Sequence, residues 1–272
     1  MQYIVELFLH FHPNIVLTSK RRMSSNPVID HFLLYCDDLN EAIDKIEELT
    51  GVRPVVGGKH IGKGTHNATV SLTDESNTNL PPMYLELIAK DPEQTEFNDK
   101  EPVFSFTKHS SLKGKLLHWA AATPQNELTD WVDEVNSNAA WTSRGWPELK
   151  APFDMERKTP DNKTIKWSLA LPASRRPLPG SGLLPFLLDW KDTIEQGIHP
   201  GQTGPKGITL KSVILRHPKF WENVKTALDN LGLLSPDTNG GIKIVVEQSP
   251  MEAPEIVLNL QTPKGEINLS QY

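Results

Sequence analysis

Residues 26–51, NPVIDHFLLYCDDLNEAIDKIEELTG, carry the pattern that decides the fold. The first part, NPVIDHFLLYC (26–36), is an apolar run that predicts a buried strand. In the second part, DDLNEAIDKIEELTG (37–51), apolar residues recur at helical spacing and Gly51 supplies a C-terminal stop. The inward-facing residues of this predicted helix are Leu39, Ala42, Ile43, Ile46 and Leu49. A strand followed by an amphipathic helix indicates a sheet with a helix packed on one face.

The loop GGKHIGKGT (57–65) comes next and has nearly the spacing of a phosphate-binding loop. It departs from that motif because Gly64, not Ser or Thr, follows Lys63. It also lies between a predicted helix and the alternating strand HNATVSL (66–72), whereas a phosphate loop lies between a strand and a helix. The pattern argues against nucleotide binding, and the role of the glycines and histidines stays open at this stage.

The order strand, helix and further strands recurs along the chain, which predicts three βαβββ units in tandem. The first unit ends with the strand MYLELIA (83–89). The second contains KLLHWAAAT (115–123), the helix NELTDWVDEVN (126–136) and TIKWSLA (164–170). The third contains ITLKSVILR (208–216), the helix PKFWENVKTALDNLG (218–232) and the strands GIKIVVE (241–247), EIVLNL (255–260) and GEINL (265–269).

The expected domain organisation follows from these repeats. Residues 1–25 form an N-terminal extension, 26–110 the first unit, 111–207 the second unit with a Pro/Gly-rich connection, and 208–272 the third unit. One unit cannot bury both faces of its sheet, so we expect two units to enclose a cleft, which is where small ligands bind. We expect the third unit to pack against an edge or to mediate self-association as a homodimer.

Composition excludes several kinds of partner. With a net charge of −6 and a pI of about 5.9, the chain has no broad basic field for nucleic acid or an anionic membrane. The single cysteine, Cys36, excludes an internal disulfide and fits a reducing, cytoplasmic location. Residues 1–22 are interpreted as a dispensable extension, with Met23 as an alternative start, or as a mitochondrial presequence.

Three polar residues stand out because they lie in apolar strands, where burial is costly without a partner. They are His31 in the first strand, Glu86 in MYLELIA and His118 in KLLHWAAAT. Two imidazoles and a carboxylate on facing strands would suit Zn²⁺, Mn²⁺, Fe²⁺ or Ni²⁺. The alternative is that both histidines are hydrogen-bonded core residues and that Glu86 pairs with a buried base such as Lys166.

Several ordered stretches resemble the vicinal oxygen chelate superfamily, which includes glyoxalase I, extradiol dioxygenases and bleomycin-resistance proteins. The closer resemblance is to its glyoxalase-like domain proteins, and it extends over residues 26–270. The stretches that carry it are DHFLLYCDDLNEAI, GGKHIGKGTHNATVSL, YLELIA, PFLLDW (185–190) and His199–Pro200. The resemblance implies an α+β fold in which the paired sheets of tandem βαβββ units enclose a cleft, with a third unit added at the C-terminus.

The resemblance also implies ligand positions on the first and last strands of each unit, which here hold His31, Glu86 and His118. The fourth position falls on Lys166 or its neighbour if TIKWSLA ends the second unit, and lysine is a poor ligand when protonated. Asp189 in PFLLDW could substitute if the connection folds that strand into the cleft.

Two classes of function follow. The first is an enzyme that depends on a divalent metal and no other cofactor: a lyase, isomerase or dioxygenase acting on a small oxygen-rich substrate. Glu86, His60 and His66 are its catalytic candidates, the two histidines because the glycine-rich loop would lie near the mouth of the cleft and direct them at the ligand. The second is a metal-free protein of the same fold that binds a small molecule in the cleft.

Overall fold

The structure, a computed structural model, describes residues 23–60, 62–74, 76–77, 81–94, 114–159, 161–173 and 178–271. The expectations for residues 1–22 lie outside this part of the chain. No helix within the described ranges is both long and apolar enough to cross a bilayer.

The first unit has the predicted order of elements. These are β1 (Val28–Tyr35), α1 (Leu39–Thr50), β2 (Val55–His60), β3 (Thr65–Ser71) and β4 (Tyr84–Lys90). Helix α1 begins after Asp38, whose side chain accepts a hydrogen bond from the Glu41 amide. It ends at Gly51, which has a φ of 79° that glycine adopts without a steric penalty. Leu49, expected to face inward, is 39% exposed.

The second unit contains a strand that the sequence pattern misplaced. Its elements are β5 (Lys115–Ala122), α2 (Leu128–Ser137), α3 (Ala139–Thr142), β6 (Phe153–Lys158), β7 (Thr164–Ala170) and β8 (Phe186–Asp189). Of the two arrangements left open, TIKWSLA as the last strand is wrong, and PFLLDW, predicted as a strand within the connection, joins the sheet instead. The chain returns after β7 and inserts β8 between β5 and β7, parallel to the first and antiparallel to the second.

Both units belong to one eight-stranded sheet with the order β2-β3-β4-β1-β5-β8-β7-β6. The first strands of the two units pair antiparallel at its centre, with His31 opposite Ala120 and Leu33 opposite His118. The same pairing has two irregularities, at Asp30 in β1 and at Leu117 in β5. The two units are thus related by an approximate twofold axis between their first strands.

The outer strands β2 and β6 approach each other, so the sheet curls around a cavity. The contact is made by the Arg157 side chain, whose Nη1 donates a hydrogen bond to the Gly57 carbonyl. A Cβ atom on Gly58 would lie 3.3 Å from Arg157 Nη1, so glycine permits this close approach. Gly57 and Gly58, predicted to lie in a loop, are therefore part of β2 and serve the closure of the sheet.

The third unit keeps the predicted order of elements but pairs its strands differently. A short helix, α4 (Pro200–Thr203), precedes it. The unit consists of β9 (Thr209–His217), α5 (Trp221–Asn230), β10 (Lys243–Gln248), β11 (Glu255–Thr262) and β12 (Gly265–Leu269). Its sheet has the order β10-β9-β11-β12, with β10 parallel to β9. In the other units the first strand instead pairs with the last, as β1 does with β4 and β5 with β8.

The apolar core has two parts, one on each face of the large sheet. The larger part combines the helices with the third unit, through residues such as Trp119, Leu215 and Leu228. The smaller part lies on the concave face and is rich in aromatic side chains, among them Tyr84, Trp167, Phe186 and Trp190. The third unit therefore covers the convex side and leaves the concave side to the cavity.

Candidate functional site

The concave face of the sheet encloses a cavity of about 630 Å³, a volume that includes its mouth open to solvent. Like most small-molecule sites, it combines apolar walls with a few polar side chains. Aromatic walls are provided by Tyr84, Trp167, Phe186 and Trp190. The polar side chains that line it include His31, His60, Asn67, Glu86 and Arg157.

Glu86 and His31 face each other in this cavity because β1 and β4 pair in parallel. The register sets His31 beside Tyr84 and Leu33 beside Glu86, so the imidazole and the carboxylate lie on one face. His31 Nε2 is 3.5 Å from Glu86 Oε2, and both side chains are buried. The His31 ring also stacks on Tyr84, with the ring centres 4.6 Å apart. The site thus joins an acid–base pair to an aromatic wall.

Asp30 holds the other side of the His31 ring. The bulge at Asp30 allows two consecutive side chains to meet, and Asp30 Oδ1 lies 2.5 Å from His31 Nδ1. Asp30 Oδ2 accepts hydrogen bonds from Trp190 Nε1 at 2.6 Å and His199 Nε2 at 3.2 Å. His199 is a donor here because its Nδ1 accepts from the Gly201 amide. Asp30 is therefore fully enclosed by donors.

The ionisation of Asp30 fixes the proton on His31. Burial alone would raise the pKa of Asp30, but electrostatic attraction to the His199 and His31 rings and the hydrogen bonds from both rings outweigh it and lower this pKa to about 2. A carboxylate ionised at neutral pH can only accept, so His31 Nδ1 carries a hydrogen and donates it to Asp30. His31 Nε2 is then directed at Glu86.

The second oxygen of Glu86 is held by β3. Asn67 Nδ2 donates a hydrogen bond to Glu86 Oε1 at 2.6 Å. His60 Nε2 is 3.8 Å from the same oxygen, and its Nδ1 is 2.9 Å from Thr65 Oγ1. Burial lowers the pKa of His60, although the Glu86 charge acts in the opposite direction. His60 therefore lines the cavity beside the Glu86 carboxylate, and burial disfavours its charged form.

Arg157 is the buried cation of the cavity. Its side chain comes from β6, and the residue is only 8% exposed. Burial lowers the pKa of this guanidinium, while Tyr84 and Glu86 raise it. Among the described residues no carboxylate oxygen lies within 4.0 Å of its nitrogens. The cavity thus contains a guanidinium without a close counter-ion in the described chain.

Three residues expected at the same site lie elsewhere. His118 Nε2 donates a hydrogen bond to the Leu184 carbonyl at 2.8 Å, and burial lowers the pKa of His118 to about 4. Asp189 accepts hydrogen bonds from the amides of Asn126 and Lys191, each at 2.8 Å, which hold the end of β8. His66 does not line the cavity, since Thr65 and Asn67 do and successive side chains of a strand point to opposite faces.

Phe186 takes the place expected of a fourth ligand. It pairs with Ala120 in the second unit as Glu86 pairs with Leu33 in the first. Its ring centre lies 5.6 Å from that of His31 and 5.2 Å from that of His118. Lys166, considered for this position and as a partner of Glu86, is exposed on β7. The sequence pattern did not show how β8 pairs with β5. That pairing places Phe186, an apolar ring, at the position expected for a metal ligand.

These residues do not fit the predicted metal centre. Structural and catalytic sites for Zn²⁺ and related ions need at least three protein ligands. Within the described ranges, no group of three or more His, Cys, Asp or Glu side chains is arranged to hold a metal ion. His31 and Glu86 form a pair, while His118 and Asp189 are committed to backbone groups.

Sequence reasoning did not identify Asp30, Asn67 or Arg157. Asp30 had a signal, because an Asp directly before His31 in an apolar strand cannot be buried without donors. Asn67 alternates with Thr65 and Thr69 on one face of β3, which also indicated a polar lining. Arg157 had no comparable signal, since only the contact between the distant strands β2 and β6 brings it into the cavity.

Two βαβββ units that pair through their first strands and enclose a cavity are the arrangement of the vicinal oxygen chelate superfamily, as the resemblance implied. The model of one family, described as glyoxalase-like domain, matches residues 29–232. The chain therefore belongs to the glyoxalase-like domain family. No curated protein matches it.

Several solved structures are similar to this chain, and one of them, from Staphylococcus aureus, supports the fold. A hypothetical protein from Staphylococcus aureus is similar with a TM-score of 0.53 and 16% identity, covering 90% of this chain and 88% of that one. Methylmalonyl-CoA epimerase from Mycobacterium tuberculosis gives a TM-score of 0.37 and 13% identity, covering 63% of this chain and 92% of that one. A variant of the Streptomyces coelicolor methylmalonyl-CoA epimerase, in complex with 2-nitronate-propionyl-CoA, gives a TM-score of 0.38 and 14% identity, covering 61% of this chain and 94% of that one.

Proposed function

We propose that the protein is an enzyme that moves a proton on a small molecule bound in the cavity. Glu86 acts as the general base, and the Asp30–His31 couple relays the proton. The observation that carries this proposal is the line of contacts from Asp30 Oδ1 to His31 Nδ1 at 2.5 Å and from His31 Nε2 to Glu86 Oε2 at 3.5 Å. General acid–base catalysis needs groups placed in this way, within or near hydrogen-bonding reach.

Each residue of the line has a separate role. Glu86 borders the cavity and can accept a proton from a bound molecule, while Asn67 holds its other oxygen in place. His31 Nε2 can receive that proton from Glu86 and return it. The ionised Asp30 stabilises the imidazolium that forms meanwhile, since a carboxylate at Nδ1 favours the charged ring.

The surroundings strengthen these interactions. Glu86 and His31 are 6% and 5% exposed and lie against the aromatic walls, so little water screens their charges. Removal of a proton next to a carbonyl group is a step that many isomerases and lyases use. The geometry therefore supports those two reaction classes out of the three considered from the sequence, without a metal ion in the step.

The second candidate is a protein that binds a small molecule without converting it. The aromatic walls favour it, because Tyr84 and Phe186 pack against the His31 ring and could serve only for binding. Both candidates share the cavity and its ligand, and they differ in whether Glu86 exchanges protons with that ligand.

The test is proton exchange with solvent. Purified protein is incubated in deuterium oxide with a panel of small carbonyl compounds, both acids and neutral molecules, and deuterium incorporation is followed by mass spectrometry. We expect incorporation into at least one compound, unaffected by a strong chelator and abolished by Glu86→Gln. Glu156→Gln, an exposed glutamate on β6, is the matched control and should leave exchange intact. Ligand binding without exchange in any compound would replace the enzyme by the binding protein.

A further inference from the structure

We infer that Arg157 receives the carboxylate group of the ligand, so the cavity selects small carboxylic acids with an apolar or aromatic remainder. The inference deepens the proposed function, because it names the chemical class of the molecule on which Glu86 acts. It depends on binding, so it can be tested apart from proton transfer.

The first argument is the unmet bonding capacity of the guanidinium. Arginine has five N–H donors. The described residues provide one hydrogen-bond acceptor for them, the Gly57 carbonyl. A buried charge is costly unless it is paired and hydrogen-bonded, and Arg157 is buried at the wall of an open cavity. A ligand oxyanion would supply both the charge and the missing acceptors.

The second argument is that the glycine pair of β2 makes room for this group. A Cβ atom on Gly57 would lie 3.5 Å from Arg157 Nη2 and only 2.5 Å from Asn67 Oδ1. A Cβ on Gly58 would lie 3.3 Å from Nη1. A larger residue at Gly58 would crowd the guanidinium, and one at Gly57 would displace the neighbouring Asn67 amide, so the guanidinium is fixed at the junction of β2 and β6 before any ligand arrives.

The charges of the cavity orient the ligand. Glu86 and the ionised Asp30 repel an anion on the β1–β4 side, whereas Arg157 attracts it on the β6 side. A carboxylic acid therefore binds with its carboxylate at Arg157 and its remainder towards Glu86 and His31. The planar guanidinium matches a carboxylate through two parallel hydrogen bonds, which fixes the direction of the remainder as well.

A monoanion fits better than a phosphate dianion. Arg157 is the buried cation in the lining, whereas Lys63 is partly exposed, with its Nζ 5.4 Å from the centre of the Phe153 ring. One buried positive charge compensates one negative charge, and a second would have to be desolvated without a partner. The aromatic walls then accept the apolar part of the acid.

The experiment compares acids with their neutral amides. Glycolate, pyruvate, phenylacetate and phenylpyruvate are each paired with the corresponding amide, and phenyl phosphate is added as a dianion. Binding is followed by tryptophan fluorescence, because Trp167 and Trp190 line the cavity, and by the melting temperature. We expect at least one acid to bind about tenfold or more tightly than its amide, as hydrogen bonds to charged groups typically provide. Phenyl phosphate should bind more weakly than phenylacetate.

The variants assign that preference to one residue. Arg157→Gln should remove the preference for acids, and Arg157→Lys, which keeps the charge without the planar fork, should leave part of it. Arg216→Gln is the control, because Arg216 pairs with Glu247 and Glu255 in the third unit. If Arg157→Gln does not fold, Arg157→Lys and the acid–amide comparison on the unchanged protein decide.

The proposal is overturned if no acid binds better than its amide, if phenyl phosphate is preferred, or if the preference survives in Arg157→Gln. Failure of the proposed function looks different. In that case the acids still bind through Arg157, but no deuterium enters them.

Discussion

Phe186 occupies in the second unit the position that Glu86 occupies in the first, and its ring lies beside both His31 and His118. One half of the cavity therefore has an acid–base group where the other half has an apolar wall. The proposed acid–base residues Asp30, His31 and Glu86 all lie in the first unit, while the second unit contributes Arg157 and two tryptophans to the lining.

Replacing Phe186 tests how much this wall stabilises the fold. Phe186 is 2% exposed, so Phe186→Ala should lower the free energy of unfolding by about 3 kcal/mol or more through lost burial and the space left behind. Phe220→Ala is the control, because Phe220 is 36% exposed and should cost clearly less. Urea unfolding curves measure both; equal losses would mean that the site collapses around the missing ring.

Asp30→Asn tests the relay. The amide keeps the size of the side chain but removes the charge that stabilises a protonated His31. We expect deuterium exchange to fall by about a hundredfold or more, within the range of acid–base contributions. Asp44→Asn, an exposed residue of α1 bonded to Arg53, should leave exchange unchanged. Full activity in Asp30→Asn would remove His31 from the proton path.

The two histidines of the glycine-rich loop region should behave differently. His60 lines the cavity next to Glu86, so His60→Ala should weaken acid binding or exchange, while the free energy of unfolding falls by about 1–2 kcal/mol, as is usual for a partly buried side chain. His66 lies on the opposite face of β3 and serves as the control. Identical effects of His60→Ala and His66→Ala on binding would contradict the described orientation of the strand.

Gly57→Ala tests whether Asn67 holds Glu86 in position. The new methyl group would come within 2.5 Å of Asn67 Oδ1 and displace the amide that orients Glu86. We expect exchange to fall by about tenfold, since a misplaced catalytic group loses its geometry. The double variant Gly57→Ala with Asn67→Ala should lose no more activity than Asn67→Ala alone. Additive losses would show that the methyl group acts elsewhere.

The stability of the fold should depend on pH through His118. Burial lowers the pKa of His118 from 6.5 to about 4, so the unfolded chain binds this proton more readily than the folded protein. The free energy of unfolding should therefore fall by roughly 3 kcal/mol as the pH is lowered from about 6.5 to 4. His118→Gln should flatten this part of the curve, whereas His66→Gln should change it less, since His66 is only partly buried. Urea unfolding curves measured between about pH 6.5 and 4 check whether the free energy of unfolding falls as the pH is lowered.

The sequence predicted the local elements better than their pairing. Helix α1, its glycine stop and the strands around His31 and Glu86 follow from periodicity and capping, which are local properties. The insertion of β8 and the strand order of the third unit depend on contacts between distant segments, which no local pattern encodes. The expected ligand set changed for that reason, because the position assigned to Lys166 belongs to Phe186.

The residues of the candidate site also fall into two groups, those that local sequence patterns predict and those that depend on contacts between distant segments. His31, Glu86 and His60 could be predicted, since each is a polar residue in a position where burial or a turn needs an explanation. Asp30 was missed because strict alternation turns it away from His31, and only the bulge brings the two together. Arg157 was missed because it reaches the cavity only when the sheet curves and β6 meets β2, and the sequence of one strand does not predict that curvature.

The irregularities at Asp30 and Leu117 occupy matching places in the two units, but their side chains differ. A symmetric dimer built from one repeated unit would have to carry the same residue at both places, whether or not both were useful. Joining the two units in a single chain removes that obligation. Each unit can then change by point substitution independently of the other. One unit can gain reactive side chains while the other gains side chains that match the shape of one ligand.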